Sequence, residues 1–156
     1  MKPARVHNFG TYFISTQTWG RRSVFQTEKA ASLFIEILYL YRSRAAYLLH
    51  EFVLMPNHFH LILTPVEITL ERAIQLIKGG FSHRFRLEVN SKMEIWQRGF
   101  TDHRIRDVED YAKHKRYLIM NPVEAGLCAE PKEYKYSSAA GSYELDPIPQ
   151  RLKPLT

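Results

Sequence analysis

The chain has 156 residues, 45% of them hydrophobic, with 22 Lys and Arg against 16 Asp and Glu for a formal charge of +6. That length suits one domain with its own core, and no apolar stretch approaches the ~20 residues of a membrane span. The single cysteine, Cys128, excludes an internal disulfide and a cysteine-rich zinc site.

Met1-Lys2-Pro3-Ala4-Arg5-Val6-His7 lacks the apolar core of a signal peptide, so a cytoplasmic location is expected. The positive charge is uneven. Residues 1 to 50 carry seven basic and two acidic side chains, residues 78 to 116 carry ten and six, and the remainder is slightly acidic. Basic groups interleave with rings at Phe81-Ser82-His83-Arg84-Phe85-Arg86 and Trp96-Gln97-Arg98-Gly99-Phe100. Guanidinium on phosphate and ring on base is how single strands are held, whereas a solvated basic face over an aromatic core has the same composition. A charge of +6 permits a nucleic-acid partner without requiring one.

In chain order, Phe9 to Thr18 is rich in aromatic and β-branched residues and predicts a strand, closed by Trp19-Gly20-Arg21-Arg22. Thr27 suits the N-cap of a helix with an apolar face of Ala30, Phe34, Ile37, Leu38 and Tyr41. Tyr47 to Met55 is apolar enough for a buried strand, and the Pro56-Asn57 turn pairs it with His58 to Thr64. Thr69 caps a second helix with Leu70, Ile74, Ile77, Phe81 and Phe85 on one face; Gly79-Gly80 within it predicts a bend or a close approach. Glu94 to Ile105 predicts a fourth strand, broken near Gly99. Asp107 then caps a third helix through about Met120, with Asp110 placed as in a capping box and Pro122 as the stop. The order β-α-β-β-α-β is that of an α+β, ferredoxin-like sheet, here with an additional C-terminal helix. Residues 1–145 are read as one domain and 146–156, with Asp146-Pro147-Ile148-Pro149, as a loosely held tail.

Two groups of residues carry chemistry. In Met55-Pro56-Asn57-His58-Phe59-His60-Leu61-Ile62-Leu63-Thr64, alternation sends His58 and His60 to one face of a strand and Phe59 to the other. Two adjacent imidazoles are a common way to hold a divalent metal, although spacing alone leaves metal binding and core packing level. On the third helix His114, Tyr117 and Asn121 share a face at i, i+3 and i+7. An asparagine carbonyl oxygen suits a hard cation, and a tyrosine hydroxyl near a phosphate can act as a nucleophile. Taken alone, that cluster reads as helix packing plus a C-cap.

Together these segments resemble single-tyrosine HUH transposases of the IS200-like family, and within it the REP-associated tyrosine transposases. Met55 to Leu63 looks like the histidine–hydrophobe–histidine motif, and Arg116-Tyr117-Leu118-Ile119-Met120-Asn121-Pro122-Val123-Glu124-Ala125-Gly126-Leu127 like the tyrosine helix. Ile77-Lys78-Gly79, Ile95 to Arg106 and Tyr136-Ser137-Ser138 also look like family segments, so the similarity spans about residues 9 to 143. The resemblance implies cutting and joining of single-stranded DNA, often at hairpins, through a 5′-phosphotyrosine intermediate. It implies His58 and His60 as ligands of Mg²⁺ or Mn²⁺ and Tyr117 as nucleophile. Asn121 stands where transposon-encoded relatives have a glutamine that completes the metal site; it keeps the carbonyl oxygen on an arm shorter by one methylene.

The DNA contacts expected are Lys78, nearest the scissile phosphate, with Arg84, Arg98 and Arg104. His103 and His114 read as surface or packing histidines, with a place behind the metal ligands or a DNA contact as the alternative. Two rival readings are a metal phosphoesterase that uses water and a DNA-hairpin-binding module without chemistry.

Overall fold

The computed structural model describes residues 10–154. Its elements run β1 (Tyr12–Gln17), α1 (Glu28–Ser43), β2 (Tyr47–Met55), β3 (His58–Pro65), α2 (Leu70–Val89), β4 (Thr101–Arg104) and α3 (Val108–Glu124). The expected order, with its additional helix, is present. The strands form one antiparallel sheet ordered β2-β3-β1-β4, the interleaved arrangement of a split β-α-β fold. Each helix begins at its expected cap. The Thr27, Thr69 and Asp107 side chains accept from the N–H of Ala30, Arg72 and Asp110.

Strand alternation divides the sheet between two apolar layers. Tyr12, Ile14, Phe52, Leu54, Phe59, Leu61 and Leu63 meet Phe34 and Leu38 of α1 and Ile74, Ile77 and Phe81 of α2. The opposite face brings Val53, Met55 and Ile62 against Tyr111 and Leu118 of α3. No helix among the described residues is long and apolar enough to cross a membrane. The segment read for a signal peptide, residues 1 to 7, lies outside the described residues.

Several local expectations change. Of the two alternatives at Gly79-Gly80 the structure has the close approach, with α2 unbroken: a Cβ on Gly80 would lie 3.0 Å from Tyr41 Cε2 and 3.1 Å from Ile37 Cγ2 of α1. A Cβ on Gly79 would meet nothing within 4 Å. The fourth strand is shorter than predicted. Only Thr101–Arg104 pairs along β1, while Trp96 bridges to Thr18 and Gly99, at φ +78°, breaks the path between them. Asp110 turns its carboxylate to the N–H of Arg106, one residue before the cap, rather than completing a capping box.

Pro122 does not stop α3, which continues to Glu124. Its missing N–H removes a single intrahelical bond, its ring is buried, and the N–H groups of Ala125 and Leu127 bond Asn121 O and Pro122 O beyond it. The tail is also a correction, because its described part is anchored. Asp146 accepts two hydrogen bonds from Arg42 and one from Leu49 N–H, and Leu152 is fully buried in the α3 layer. A guanidinium fork and an apolar residue that fits the second core hold a segment whose proline-rich composition suggested otherwise.

The glycine pair yields opposite expectations. Gly79→Ala should raise unfolding stability by about 0.5–1 kcal/mol, because alanine reduces the freedom of the unfolded chain at an open helical site. Gly80→Leu should lower it by about 1–3 kcal/mol through overpacking against Ile37 and Tyr41. Urea denaturation of the two variants checks both signs.

His50 lies at the bulge in β2, its Nδ1 2.9 Å from Asp146 O and its Nε2 2.8 Å from Thr64 Oγ1. Burial lowers its pKa from 6.5, against the opposing pull of the Asp146 carbonyl and carboxylate. The unfolded chain therefore binds a proton that the folded chain refuses, and stability falls as pH drops below 6.5. His58 and His60 carry shifts of the same sign. Thermal melts between about pH 7 and pH 5 should show this decline, and His50→Gln should make it shallower.

Candidate active site

The antiparallel register of β1, β3 and β2 sets Ser15 and Val53 on either side of His60, and Gln17 and Met55 on either side of His58. Residues 58 and 60 face α3, while Phe59 enters the opposite layer against Phe34 and Trp96. α3 crosses this face with Leu118 buried beneath it and presents Tyr117 and Asn121 to the histidines. The two expected clusters are thus brought together. The cleft between them has a volume of about 320 Å³ and is lined by Ser15, Gln17, Arg21, Asn57, His58, His60 and Tyr117.

The imidazoles are held from behind. Ser15 Oγ lies 2.6 Å from His60 Nδ1, and Phe13 stacks on the His60 ring with centroids 5.2 Å apart. His58 Nδ1 lies 2.7 Å from Asn57 Oδ1, and its Nε2 lies 3.0 Å from Asn121 Oδ1. The His58 and His60 rings meet edge to face at 5.0 Å. Burial lowers the pKa of both: that of His60 falls to about 3, helped by its neighbour His58, and Arg21 depresses His58 further against the pull of Asn121. Both rings are therefore neutral at physiological pH, the protonation state a metal requires.

The donor set fits a divalent cation. A neutral His58 that donates from Nδ1 to Asn57 turns its Nε2 lone pair toward the Asn121 oxygen. Two facing acceptors leave room for a cation that both could ligate. His60 is arranged the same way, with Nδ1 engaged by Ser15 and Nε2 left as the available nitrogen.

Tyr117 is 56% exposed, with its ring edge-on to His60 at 5.5 Å and to Phe13 at 5.9 Å. A phenol placed in this way is supported on its apolar side and open to a ligand. Tyr111, on the same helix, is buried in the α3 layer, and burial raises its pKa, so it is unsuited to act as a nucleophile.

The basic residues disperse. Lys78 lies in a different cleft beside Trp96, where its ammonium donates to Gln97 O at 3.1 Å and Gly99 O at 2.9 Å; this places it away from the histidines. Burial lowers its pKa. Arg84 lies 3.5 Å from Glu36 and 3.7 Å from Glu88, over the α1–α2 layer. Arg104 is exposed on the edge strand β4, opposite Tyr12. Arg98 lines a groove shared with Ser15 and Gln17, both of which also line the histidine cleft. Arg21 lines that cleft itself and was missed in the sequence, where it reads as loop. Ser15 was missed too, and only the β1–β3 register singles it out.

Comparison with known proteins shows the family of the chain. Residues 10–121 match the family model described as "Transposase IS200 like". The chain is 30% identical over 144 residues to the REP-associated tyrosine transposase of Escherichia coli K12, covering 88% of this chain and 84% of that one. It also superposes on a REP-associated tyrosine transposase solved bound to a REP hairpin, with a TM-score of 0.72 and 24% identity over 100% of this chain and 96% of the other. On this combined ground of sequence and fold, the chain belongs to the IS200-like transposases, enzymes that cut and join DNA.

Proposed function

We propose that this transposase is metal-dependent and transfers single strands of DNA through a 5′-phosphotyrosine link at Tyr117, with His58, His60 and Asn121 as metal ligands and hairpin-bearing DNA as substrate. The observation that carries the reading is the convergence of Tyr117 and two neutral imidazoles on one cleft, with the Asn121 oxygen 3.0 Å from His58 Nε2. Mg²⁺ or Mn²⁺ is the ion that the family implies. When bound, the ion supplies polarisation of the phosphoryl oxygens.

The chain's own groups do the remainder. The Tyr117 oxygen attacks phosphorus and the 3′ oxygen departs, so one phosphodiester P–O bond is exchanged for another. The phenolic proton ends, net, on the released 3′ oxygen. Because the bond energy is conserved in the phosphotyrosine, a 3′-hydroxyl reverses the step without an external energy source. Arg21 in the cleft and Arg98 in the adjoining groove provide positive charge where the strand would run. Ser15 acts on His60 rather than on DNA, and fixes which ring nitrogen faces the cleft.

A hairpin oligonucleotide labelled in turn at each end tests the reaction. The 3′-labelled strand should travel with the protein on a denaturing gel, and the 5′-labelled fragment should be freed with a 3′-hydroxyl. Tyr117→Phe should lose the adduct with DNA affinity nearly unchanged. Free fragments from both labels would instead indicate hydrolysis, and a mobility shift without cleavage would indicate a binding module. Binding should favour the hairpin over plain duplex and weaken steeply with salt, because phosphate contacts release counterions.

The metal is tested separately. Chelation should abolish adduct formation, and His58→Ala or His60→Ala should remove it even with metal supplied. Ser15→Ala should weaken Mn²⁺ binding by about 10–100-fold while leaving the fold intact, as loss of a ligand-orienting partner does. Calorimetric titration with Mn²⁺ checks it, and an unchanged affinity would remove Ser15 from this role.

A further inference from the structure

On the far side of Phe13 from His60 lies a second group of potential ligands. His103 comes from the edge strand β4, and Asp110 and His114 from the first two turns of α3. His103 Nε2 is 2.8 Å from Asp110 Oδ2, and His114 Nδ1 is 3.1 Å from Asp110 Oδ1. The two imidazoles stack with centroids 4.3 Å apart and planes 14° from parallel, so a nitrogen of each turns toward the same carboxylate. Among the described residues this is the one cluster of three His, Cys, Asp or Glu side chains whose ligand atoms all lie within 4.8 Å of one another.

We propose that His103, Asp110 and His114 form a second divalent-metal site, separate from the histidine cleft, that ties β4 to the helix carrying Tyr117. Ligand chemistry favours a transition metal of the zinc type, because two imidazoles and one carboxylate are a borderline N₂O set. The three ligand atoms lie within 4.8 Å of one another, so modest side-chain rotation brings them to about 2.1 Å from a common ion.

The surroundings are compatible with a cation. Burial works against charge on Asp110, but the Arg106 N–H and the two histidines outweigh it and keep the carboxyl below its ordinary 3.8. The Arg106 guanidinium is 3.8 Å from the carboxylate, yet that side chain is 78% exposed and free to turn into solvent. His114 Nδ1 also lies 2.8 Å from Asp110 O, a hydrogen bond given up when Nδ1 becomes a ligand. All three residues are only partly buried, so an ion can enter without unfolding. His114 precedes Tyr117 by one helical turn, and its ring lies 5.0 Å from Phe13, which in turn touches Tyr117 and His60. A metal here would brace the position of the tyrosine helix against the sheet.

Co²⁺ titration of the His58→Ala/His60→Ala protein, followed by absorption and by metal analysis after dialysis, separates this site from the cleft. One Co²⁺ per chain is expected. Adding His103→Ala or Asp110→Asn should weaken binding by more than about tenfold. Asp110→Asn leaves the Asp107 cap in place, and His103 lies in an edge strand, so circular dichroism should show both variants folded. In the His58→Ala/His60→Ala protein, Co²⁺ should shift or broaden the ring resonances of both His103 and His114. No Co²⁺ bound by the double variant, undiminished binding after His103→Ala and Asp110→Asn, or unmoved His103 and His114 resonances would each overturn the site.

Discussion

The pairing of β3 between β1 and β2, in a single register, is the constraint on which the rest of the molecule depends. Phe59 fills the centre of an aromatic cluster with Phe34 and Trp96, joined by Phe25 and Phe81. Burying one such ring is worth about 1.5–3 kcal/mol, and its contacts with other rings add to that. A slip of one residue would expel Phe59 and drive both imidazoles into this layer. The aromatic core on one side of the sheet thus aims the histidines on the other.

The imidazoles then owe their chemistry to where they are buried. An exposed histidine pair would be partly protonated near neutral pH, and each proton would compete with a metal. Here the sheet on one side, Phe13 along the His60 ring and α3 above remove enough water to hold both rings neutral. Asn57 and Ser15 supply hydrogen-bond partners, so desolvation leaves neither ring without one. Tyr117 differs because it stays open to a ligand while its ring rests on its neighbours.

The chain after α3 protects the sheet and seats the helix. β2 is an edge strand, which by itself would invite pairing with another molecule. The 134–146 segment covers it: Tyr136 O accepts from Leu54 N–H, Ser138 Oγ accepts from Phe52 N–H, and Asp146 exchanges bonds with Leu49. Leu152 and Ile148 then complete the apolar layer under α3. The histidine face therefore rests on residues up to thirty-five positions downstream of Tyr117.

Local signals in the sequence were enough for most elements, because caps, alternation and turn residues act over a few positions. Thr27, Thr69 and Asp107 begin the helices as read, Tyr47–Met55 is a strand, and His58 and His60 share a face. The same alternation, with the helical spacing of Tyr117 and Asn121, placed four candidate site residues on two faces. Their meeting on one face of the sheet is a tertiary fact, as are Ser15 behind His60 and Arg21 in the cleft, since both depend on strand register and loop path. The misread features share one cause. Pro122 within a helix and the anchored tail each follow from packing partners distant in sequence. Composition and propensity describe what a segment prefers alone; burial against the second layer and the α1–α2 contact decided what it does in the fold.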